Sequence, residues 1–98
     1  MAIGLVIDVA VGQAEYEAVM KELGLDTDDA QWPDGIISHT AGPTDGGWRV
    51  VDVWASRAKF DQFMEEQLAD AMQKAGVPQP QISEFAVHNL HHERAAVA

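Results

Sequence analysis

Apolar and polar side chains recur with regular spacing over most of the chain, and the spacing alternates between that of a strand and that of a helix. Residues 2–9 form an apolar run rich in β-branched side chains, which predicts a buried strand. After Gly12, apolar side chains recur every three or four positions and form one helical stripe, made of Tyr16, Val19, Met20 and Leu23. Gly24 is a typical residue for the end of this helix.

The middle of the chain predicts a loop followed by a β-hairpin. Residues 25–35 are acidic and show no period, which is typical of a loop. Residues 36–42 and 47–55 are two strand-like runs, and the Asp45-Gly46 pair between them favours a turn. The two runs are therefore expected to pair as neighbouring antiparallel strands.

The second half of the chain predicts one long helix and a final strand. Ser56 is a good N-cap, and the helix after it has an apolar stripe of about five turns, made of Phe60, Phe63, Met64, Leu68, Ala71, Met72 and Ala75. Gly76 ends the helix, and residues 81–90 return to a strand pattern. Residues 91–98 are expected to form a loose or partner-contacting tail.

The predicted order, β-α-β-β-α-β, favours one α+β domain over residues 1–98 with a ferredoxin-like fold. In this arrangement four antiparallel strands form a sheet, and both helices cover the same face. A chain of 98 residues is long enough for a single hydrophobic core. The second face of the sheet is then left open.

Composition narrows the classes of function. Six Lys and Arg against 16 Asp and Glu give a formal net charge of −10, which repels phosphate backbones and anionic lipid headgroups. Nucleic acid and membrane surfaces are therefore not expected as partners. Because the chain has no cysteine, disulfides, thiolate zinc sites and cysteine nucleophiles are excluded. The N-terminal run lacks the basic start of a signal peptide, and no apolar stretch reaches the roughly 20 residues of a membrane span, so we expect a cytoplasmic protein.

The third predicted strand indicates where a binding site is expected. Alternation places a mostly apolar set of side chains on one face, namely Arg49, Val51, Val53 and Ala55. The other face carries an acid and two tryptophans, in the set Trp48, Val50, Asp52 and Trp54. The valine-rich set suits contact with the helices, so the tryptophan set is expected on the open face. Exposed tryptophans there need cover, and a second copy is the simplest cover, which predicts a homodimer with a polar, tryptophan-lined cavity. The cavity is expected either inside the dimer or between the sheet and the loop.

The element order, together with the run GGWRVVDVWASRAKFDQFMEEQL, resembles the dimeric α+β barrel superfamily, and within it the antibiotic-biosynthesis-monooxygenase-like proteins. The resemblance covers nearly the whole chain. Its most specific part is a third strand that ends in an acid, one residue and an aromatic residue before a polar helix start, here Asp52, Val53, Trp54, Ala55 and Ser56. It implies a homodimer in which two sheets pack into a barrel. Members include cofactor-free monooxygenases, polyketide cyclases, lactone isomerases and haem-degrading enzymes, so the fold alone does not choose an activity.

One departure from that family's pattern affects the expected function. Many monooxygenase-like and haem-degrading relatives carry a histidine on the second helix, whereas residues 57–75 contain none. This argues against haem degradation and against a standard monooxygenase. Nucleotide cofactors are not indicated either, because Gly42, Gly46 and Gly47 flank a turn and match no phosphate-binding motif.

A metal site is not expected from the sequence. His88, His91 and His92 have helical spacing in a segment that is predicted to be a strand followed by a tail. No second cluster supplies the remaining ligands at a recognised spacing. We therefore predict no metal and no other cofactor.

The candidate catalytic residues are two histidines and one acid. His39 lies in the second strand, and hairpin pairing brings it to the face of Asp52, so that the two can form an acid–base pair. Alternation in the last strand puts Glu84 and His88 on one side, where both can join the polar lining. His39 and Asp52 can equally be hydrogen-bonded interior or interface residues without a role in chemistry.

Large side chains are the candidate substrate contacts. Trp48 and Trp54 can stack on a flat ligand beside Val50, although aromatics at this spacing are often core or interface residues. Trp32 can act as a lid over the cavity mouth, or it can simply hold its own loop against the body.

Three functions remain open from the sequence. The leading hypothesis is a cofactor-independent enzyme that acts on a small aromatic or polyketide-like metabolite by acid–base catalysis, in a cyclisation, dehydration or isomerisation. In that hypothesis His39 is the general base or acid, Asp52 orients or protonates, and His88 is a second proton carrier. One alternative is a cofactor-free monooxygenase in which the substrate's own carbanion reduces oxygen. The other is a non-catalytic dimer that binds a small molecule.

Overall fold

The computed structural model describes residues 1–91 of the chain, so His92 and the rest of the predicted tail lie outside the described residues. Its elements follow the predicted order: β1 (Ile3–Val9), α1 (Gln13–Leu23), β2 (Ile36–Thr44), β3 (Gly47–Trp54), α2 (Arg57–Phe63), a π-helical turn (Met64–Leu68), α3 (Ala69–Lys74) and β4 (Gln81–Ala86). The second predicted helix is thus one continuous helical segment, from α2 to α3, with a π-helical turn inside it.

The four strands form one antiparallel sheet in the order β2-β3-β1-β4, which is the ferredoxin-like order. The predicted hairpin is confirmed, with Thr44 paired to Gly47 across a two-residue turn. This register pairs His39 with Asp52, as the alternation predicted. A register shift near the start of β2, between Ile36 and Ser38, lies within three residues of His39.

The helix ends follow from local chemistry. The backbone N–H of Gly12 donates to the Glu15 side chain at 3.5 Å before α1, and Gly24 ends that helix at φ 71°. At the start of α2, the Ser56 hydroxyl accepts a hydrogen bond from the backbone N–H of Lys59 at 3.2 Å. The predicted stop at Gly24 and the predicted cap at Ser56 are both confirmed.

The helices cover the tryptophan face of β3, and the prediction that this face is open is wrong. Trp54 has no exposed surface, and its ring lies 5.5 Å from the rings of both Phe60 and Phe63. Leu5 and Ile7 of β1 complete this buried cluster. The main core of the molecule is therefore built on the sheet face that the sequence suggested for a dimer cavity.

Side-chain size and charge explain this orientation. Burial of a tryptophan removes more apolar surface from water than burial of a valine, so the helices gain more by covering the tryptophan set. Asp52 is tolerated there because both of its carboxylate oxygens have hydrogen-bond partners. On the opposite face Arg49 pairs with Asp8 at 2.7 Å, and both side chains remain largely exposed. A buried Arg49 would have needed a partner under the helices.

The second face of the sheet is uncovered in the single chain and carries both polar and apolar side chains. We call it the open face, and its apolar part consists of Val6, Val51, Val53 and Phe85. Phe85 is 51% exposed, and its ring lies over Gly4 so closely that a Cβ there would come within 2.1 Å of the ring. Over residues 1–91, none of the helices combines the length and the apolar character needed to cross a membrane.

Candidate functional site

A cavity of about 90 Å³ lies between the sheet and the helices of the single chain. Its walls are mainly aliphatic and aromatic side chains from the sheet and the helices, among them Ile7, Val19, Met20, Trp48, Val50 and Leu68. Tyr16, His39 and Asp52 contribute the ionisable groups of the lining. An apolar wall with a few polar groups at one place is the usual character of a small-molecule site.

These three polar side chains form one hydrogen-bonded chain. Asp52 Oδ1 lies 2.7 Å from His39 Nδ1, and His39 Nε2 lies 2.6 Å from the Tyr16 hydroxyl oxygen. The Tyr16 and His39 rings are nearly parallel, at 7°, with centroids 6.2 Å apart, which fits an edge-to-edge hydrogen bond. The second oxygen of Asp52 accepts from the Trp54 indole N–H at 3.2 Å. Residues from α1, β2 and β3 thus meet at one point.

The partners of each atom determine where the protons lie. The Trp54 indole can only donate, and an Asp52 carboxylate without a proton can only accept, so with that carboxylate the ring nitrogen that faces Asp52 is the donor. When the ring carries only that proton, His39 Nε2 is the acceptor and the Tyr16 hydroxyl donates to it. Both ring nitrogens of His39 are therefore already engaged.

The surroundings keep Tyr16 in its neutral form. Burial raises the pKa of the Tyr16 hydroxyl, and the negative charge of Asp52 raises this pKa further. Tyr16 is partly buried, and its ring packs 5.1 Å from the ring of Trp48. A free tyrosinate is thus disfavoured at this position, and the hydroxyl is held as a hydrogen-bond donor to His39.

A surface groove lies outside the cavity, between α1 and the loop that carries Trp32. Five side chains line both the groove and the cavity and form the boundary between them: Tyr16, Met20, Leu25, Trp32 and His39. The Trp32 ring lies 5.1 Å from the His39 ring and is 43% exposed. Trp32 therefore packs beside His39 where the cavity meets the groove.

The structure brings five of the predicted site residues to the cavity, namely Trp32, His39, Trp48, Val50 and Asp52. They lie between the sheet and the helices of the single chain, so the predicted position on the sheet face that the helices leave open is wrong. The reason is the reversed orientation of β3 described above.

The other three predicted site residues lie away from the cavity, which corrects their predicted roles. Trp54 is fully buried against Phe60 and Phe63, so no ligand can stack on it, although it holds Asp52. Glu84 is exposed and pairs with Arg57 on the outside of the helix. His88 is exposed and follows the end of β4, because this strand ends at Ala86 and its alternation does not continue.

Tyr16 is the site residue that the sequence analysis missed. Its spacing predicts a place on the apolar stripe of α1 and indicates no role for its hydroxyl. The sequence does contain a signal, because Tyr16 is the only tyrosine of the chain and the one hydroxyl on that stripe. A buried hydroxyl needs a partner, so a strand histidine facing the same helix was a candidate.

One buried polar group near the site has no partner, and the described residues show no metal site. Within residues 1–91, the Trp48 indole N–H is a buried donor without an acceptor. Over the same residues, no three His, Asp or Glu side chains converge in a way that could hold a metal ion. His92, one of the three histidines considered for a metal, is outside the described residues.

The fold has counterparts among solved structures. The chain is similar to a candidate antibiotic biosynthesis monooxygenase of Chloroflexus aurantiacus, with a TM-score of 0.66 and 13% identity over 94% of this chain and 98% of the other. It is also similar to SnoaB, a cofactor-independent oxygenase of Streptomyces nogalater, with a TM-score of 0.63 and 15% identity over 94% and 98%. A protein of unknown function from Nitrosomonas europaea has a TM-score of 0.68 and 15% identity over 96% of both chains.

These similarities confirm the predicted fold over nearly the whole chain. No protein-family model matches the chain, and no curated protein matches it either. At 13% to 15% identity the likeness to these structures concerns the fold. The activity has to be argued from the side chains in the cavity.

Proposed function

We propose that this protein is a cofactor-independent enzyme that moves a proton on a small, largely apolar organic molecule held in the cavity between its sheet and its helices. The observation that carries the proposal is the hydrogen-bonded chain from Asp52 through His39 to Tyr16, at the boundary of an apolar cavity. Isomerisation, dehydration and cyclisation all begin with such a proton transfer. An aromatic or polyketide-like substrate fits the apolar and aromatic lining.

Asp52 gives His39 the properties of a proton acceptor. The carboxylate holds the ring in one tautomer and one orientation, and it stabilises the imidazolium that forms when His39 takes up a proton. The Trp54 N–H fixes the carboxylate in turn. Because His39 is mostly shielded from solvent and Asp52 is buried, their interaction is screened less than that of a surface pair. General acid–base catalysis by such a group contributes roughly 10²–10⁴-fold to a rate.

The size of the cavity limits the substrate. A volume of about 90 Å³ is smaller than the roughly 300–1,000 Å³ of pockets for drug-sized ligands, so a small ring system is the appropriate substrate. A larger molecule enters only when Trp32 moves away from His39, since Trp32 is the exposed member of the boundary. Trp32 then acts as a lid that excludes water after the substrate has bound.

Hydrogen–deuterium exchange into a carbon acid tests the proposal without knowledge of the natural substrate. We expect the protein in D2O to accelerate exchange at the α-carbons of 2-indanone, a small apolar ketone, measured by NMR. His39→Gln and Asp52→Asn remove the base and its partner, so each should slow the catalysed exchange by about 10²-fold or more. His88→Asn is the matched control, because His88 is exposed and lies away from the cavity.

The outcomes separate the proposal from a binding function. Exchange at the buffer rate, or equal exchange in wild type, His39→Gln and Asp52→Asn, contradicts acid–base catalysis at this site. A ketone that binds and returns without deuterium favours the non-catalytic, ligand-binding function. Circular dichroism of each variant shows whether a loss of exchange reflects a loss of folding.

A second candidate function is cofactor-free oxygenation, and the fold similarity to the cofactor-independent oxygenase SnoaB favours it. The first step is the same, because the substrate must lose a proton before its carbanion can reduce oxygen. An oxygen electrode with 1-naphthol as the substrate separates the two functions. Oxygen uptake that depends on His39 supports the oxygenase, and exchange into 2-indanone without any oxygen uptake supports the isomerase or cyclase.

We further propose that the protein is a homodimer whose two subunits meet through their open faces. This face carries apolar side chains in the middle of the sheet, and such a patch is costly to leave in water. The charged strand residues on it, Asp8 and Arg49, neutralise each other. Two copies with a net charge of −10 each can therefore approach through this face with little repulsion between the contact surfaces.

A further inference from the structure

We infer that Tyr16 is the residue that contacts the reacting atom of the substrate, and that His39 acts behind it as the final acceptor of the proton. This inference rests on the proposed acid–base function and assigns its first step to a different side chain. Tyr16 then becomes a catalytic residue, whereas Asp52 and Trp54 become positioning residues.

The hydrogen bonds of His39 leave it no free basic atom. Nδ1 faces Asp52 at 2.7 Å and Nε2 faces the Tyr16 hydroxyl at 2.6 Å, so a substrate reaches His39 directly only by displacing Tyr16. The Tyr16 oxygen, in contrast, donates its one proton to His39 and keeps its lone pairs for another partner. Tyr16 also lines the cavity and the surface groove, so a molecule can approach it from either side.

The proton transfer balances without any further reactant. A substrate C–H or O–H gives its proton to the Tyr16 oxygen while the Tyr16 proton passes to His39 Nε2. The substrate keeps the electron pair of the broken bond as an enolate or a phenolate. His39 becomes an imidazolium ion whose other N–H still donates to the Asp52 carboxylate. The reverse transfer returns the proton to a different position of the substrate, and nothing is oxidised or reduced.

Concerted transfer suits this environment better than a preformed tyrosinate. Burial and the charge of Asp52 raise the pKa of Tyr16, so the hydroxyl alone is a poor base. When the proton passes on to His39 in the same step, no negative charge accumulates on Tyr16 beside Asp52. The positive charge instead forms on His39, at hydrogen-bond distance from the carboxylate.

Covalent labelling with benzenesulfonyl fluoride tests this role directly. The Tyr16 oxygen attacks sulfur, the O–S bond forms, the S–F bond breaks, fluoride leaves and the phenolic proton goes to His39. Because Tyr16 is the only tyrosine, peptide mass spectrometry assigns a labelled tyrosine without ambiguity. We expect Tyr16 to be modified at least about tenfold faster than N-acetyltyrosinamide at the same pH, since a base takes up its proton.

Matched variants show whether His39 and Asp52 drive the labelling. His39→Gln and Asp52→Asn keep the tyrosine but remove the base or its partner, so labelling of Tyr16 should fall about tenfold or more in each. His88→Asn should leave the rate unchanged. A purely structural Tyr16–His39 contact predicts instead equal or faster labelling in His39→Gln, because the hydroxyl would be released from His39.

The outcomes distinguish failure of this inference from failure of the proposed function. Modification of His39 in place of Tyr16 overturns the role of Tyr16 and leaves the His39–Asp52 pair as the base. Labelling of Tyr16 that is no faster than that of N-acetyltyrosinamide, or that is equal in wild type and His39→Gln, also overturns it. Exchange of 2-indanone then decides independently whether acid–base catalysis occurs in this cavity.

Discussion

At the scale of single residues, Asp52 links the candidate site to the hydrophobic core. Its two oxygens bind two side chains of different character: His39 faces the cavity, and Trp54 belongs to the core. A buried carboxylate is costly unless it is fully hydrogen-bonded, so the core and the site stabilise each other through this residue. Substitutions around it should therefore affect stability and chemistry together.

The ionisation of Tyr16 can be measured directly, because the chain has a single tyrosine. We expect the ultraviolet absorbance of the tyrosinate to appear at a pH above the ordinary tyrosine pKa of 10.0, since burial and the Asp52 charge both raise this pKa. In Asp52→Asn the contribution of the charge is lost, so Tyr16 should titrate at lower pH than in wild type. Titration in wild type at or below the ordinary value would contradict the buried position of the hydroxyl.

The link between core and site predicts a measurable cost for Trp54→Phe. This change leaves a void beside Phe60 and Phe63 and removes the donor to Asp52, so we expect the free energy of unfolding to fall by roughly 2 kcal/mol or more. Trp32→Phe is the matched control, because Trp32 is exposed, and its effect should stay within about 0.5 kcal/mol. Urea unfolding measures both, and equal costs would contradict this account.

At this scale the sequence predicted the pairing of His39 with Asp52 and missed Tyr16. The pairing could be predicted because a two-residue turn fixes the register of a hairpin, and the register fixes which residues of the two strands lie opposite each other. The contact between Tyr16 and His39 joins a helix to a strand 23 positions further along the chain. Such a contact depends on how the helix is docked and rotated on the sheet, which no local pattern specifies.

At the scale of elements, the π-helical turn decides which side chains of the second helical segment reach the cavity. Phe63 and Met72 both line it, although they are nine positions apart. In an uninterrupted α-helix of about 3.6 residues per turn, nine residues are two and a half turns, so Met72 would face away from Phe63. The wider π-helical turn (Met64–Leu68) lies between them and turns through a smaller angle per residue, which reduces this offset and rotates Met72 towards the cavity.

The start of β2 positions His39, and Gly35 makes this start possible. Gly35 has a φ of +94°, and a Cβ there would come within 2.6 Å of the Lys59 side chain. We expect Gly35→Ala to lower the free energy of unfolding by roughly 1–3 kcal/mol. Gly46→Ala is the control, because Gly46 has no positive φ and no neighbour within 4 Å of a Cβ.

Gly35→Ala should lower both the melting temperature and the rate of exchange into 2-indanone, because the displaced strand carries His39. The control substitution should leave both unchanged, with an effect on stability within about 0.5 kcal/mol. Equal melting temperatures for the two variants would show that the conformation of Gly35 is not required. In that case the position of β2 would have to depend on its pairing with β3 alone.

The orientation of β3 could not be predicted from its own alternation, because both of its faces are largely apolar. The pattern identified two sets of residues correctly, but the valine set and the tryptophan set each suit a buried surface. Arg49 was the residue that could have indicated which face of β3 the helices cover. Its presence among the valines marks a face that needs either solvent or a partner, and it pairs with Asp8, 41 positions earlier in the chain. That long-range pair becomes visible only once β1 is placed beside β3.

At the scale of the whole molecule, the distribution of charge favours one mode of association. The net charge of −10 opposes close approach of two copies over most of the surface. On the open face, in contrast, the strands contribute one neutralised pair, Asp8 and Arg49, around an apolar centre. Screening by salt should therefore strengthen a dimer formed through this face, since it weakens the long-range repulsion and leaves the apolar contact intact.

Val51→Glu tests this dimer at the centre of the open face, where Val51 pairs with Val6 and Thr40. In the proposed dimer a carboxylate there would be buried without a partner in both subunits, so we expect Val51→Glu to sediment as a monomer and the wild type as a dimer in analytical ultracentrifugation. Gln62→Glu adds the same charge at an exposed position of α2 and should remain dimeric. A monomeric wild type would contradict association through this face, and a dimeric Val51→Glu would move the interface elsewhere. Because the cavity lies between the sheet and the helices of one subunit, exchange into 2-indanone should persist in a folded Val51→Glu monomer.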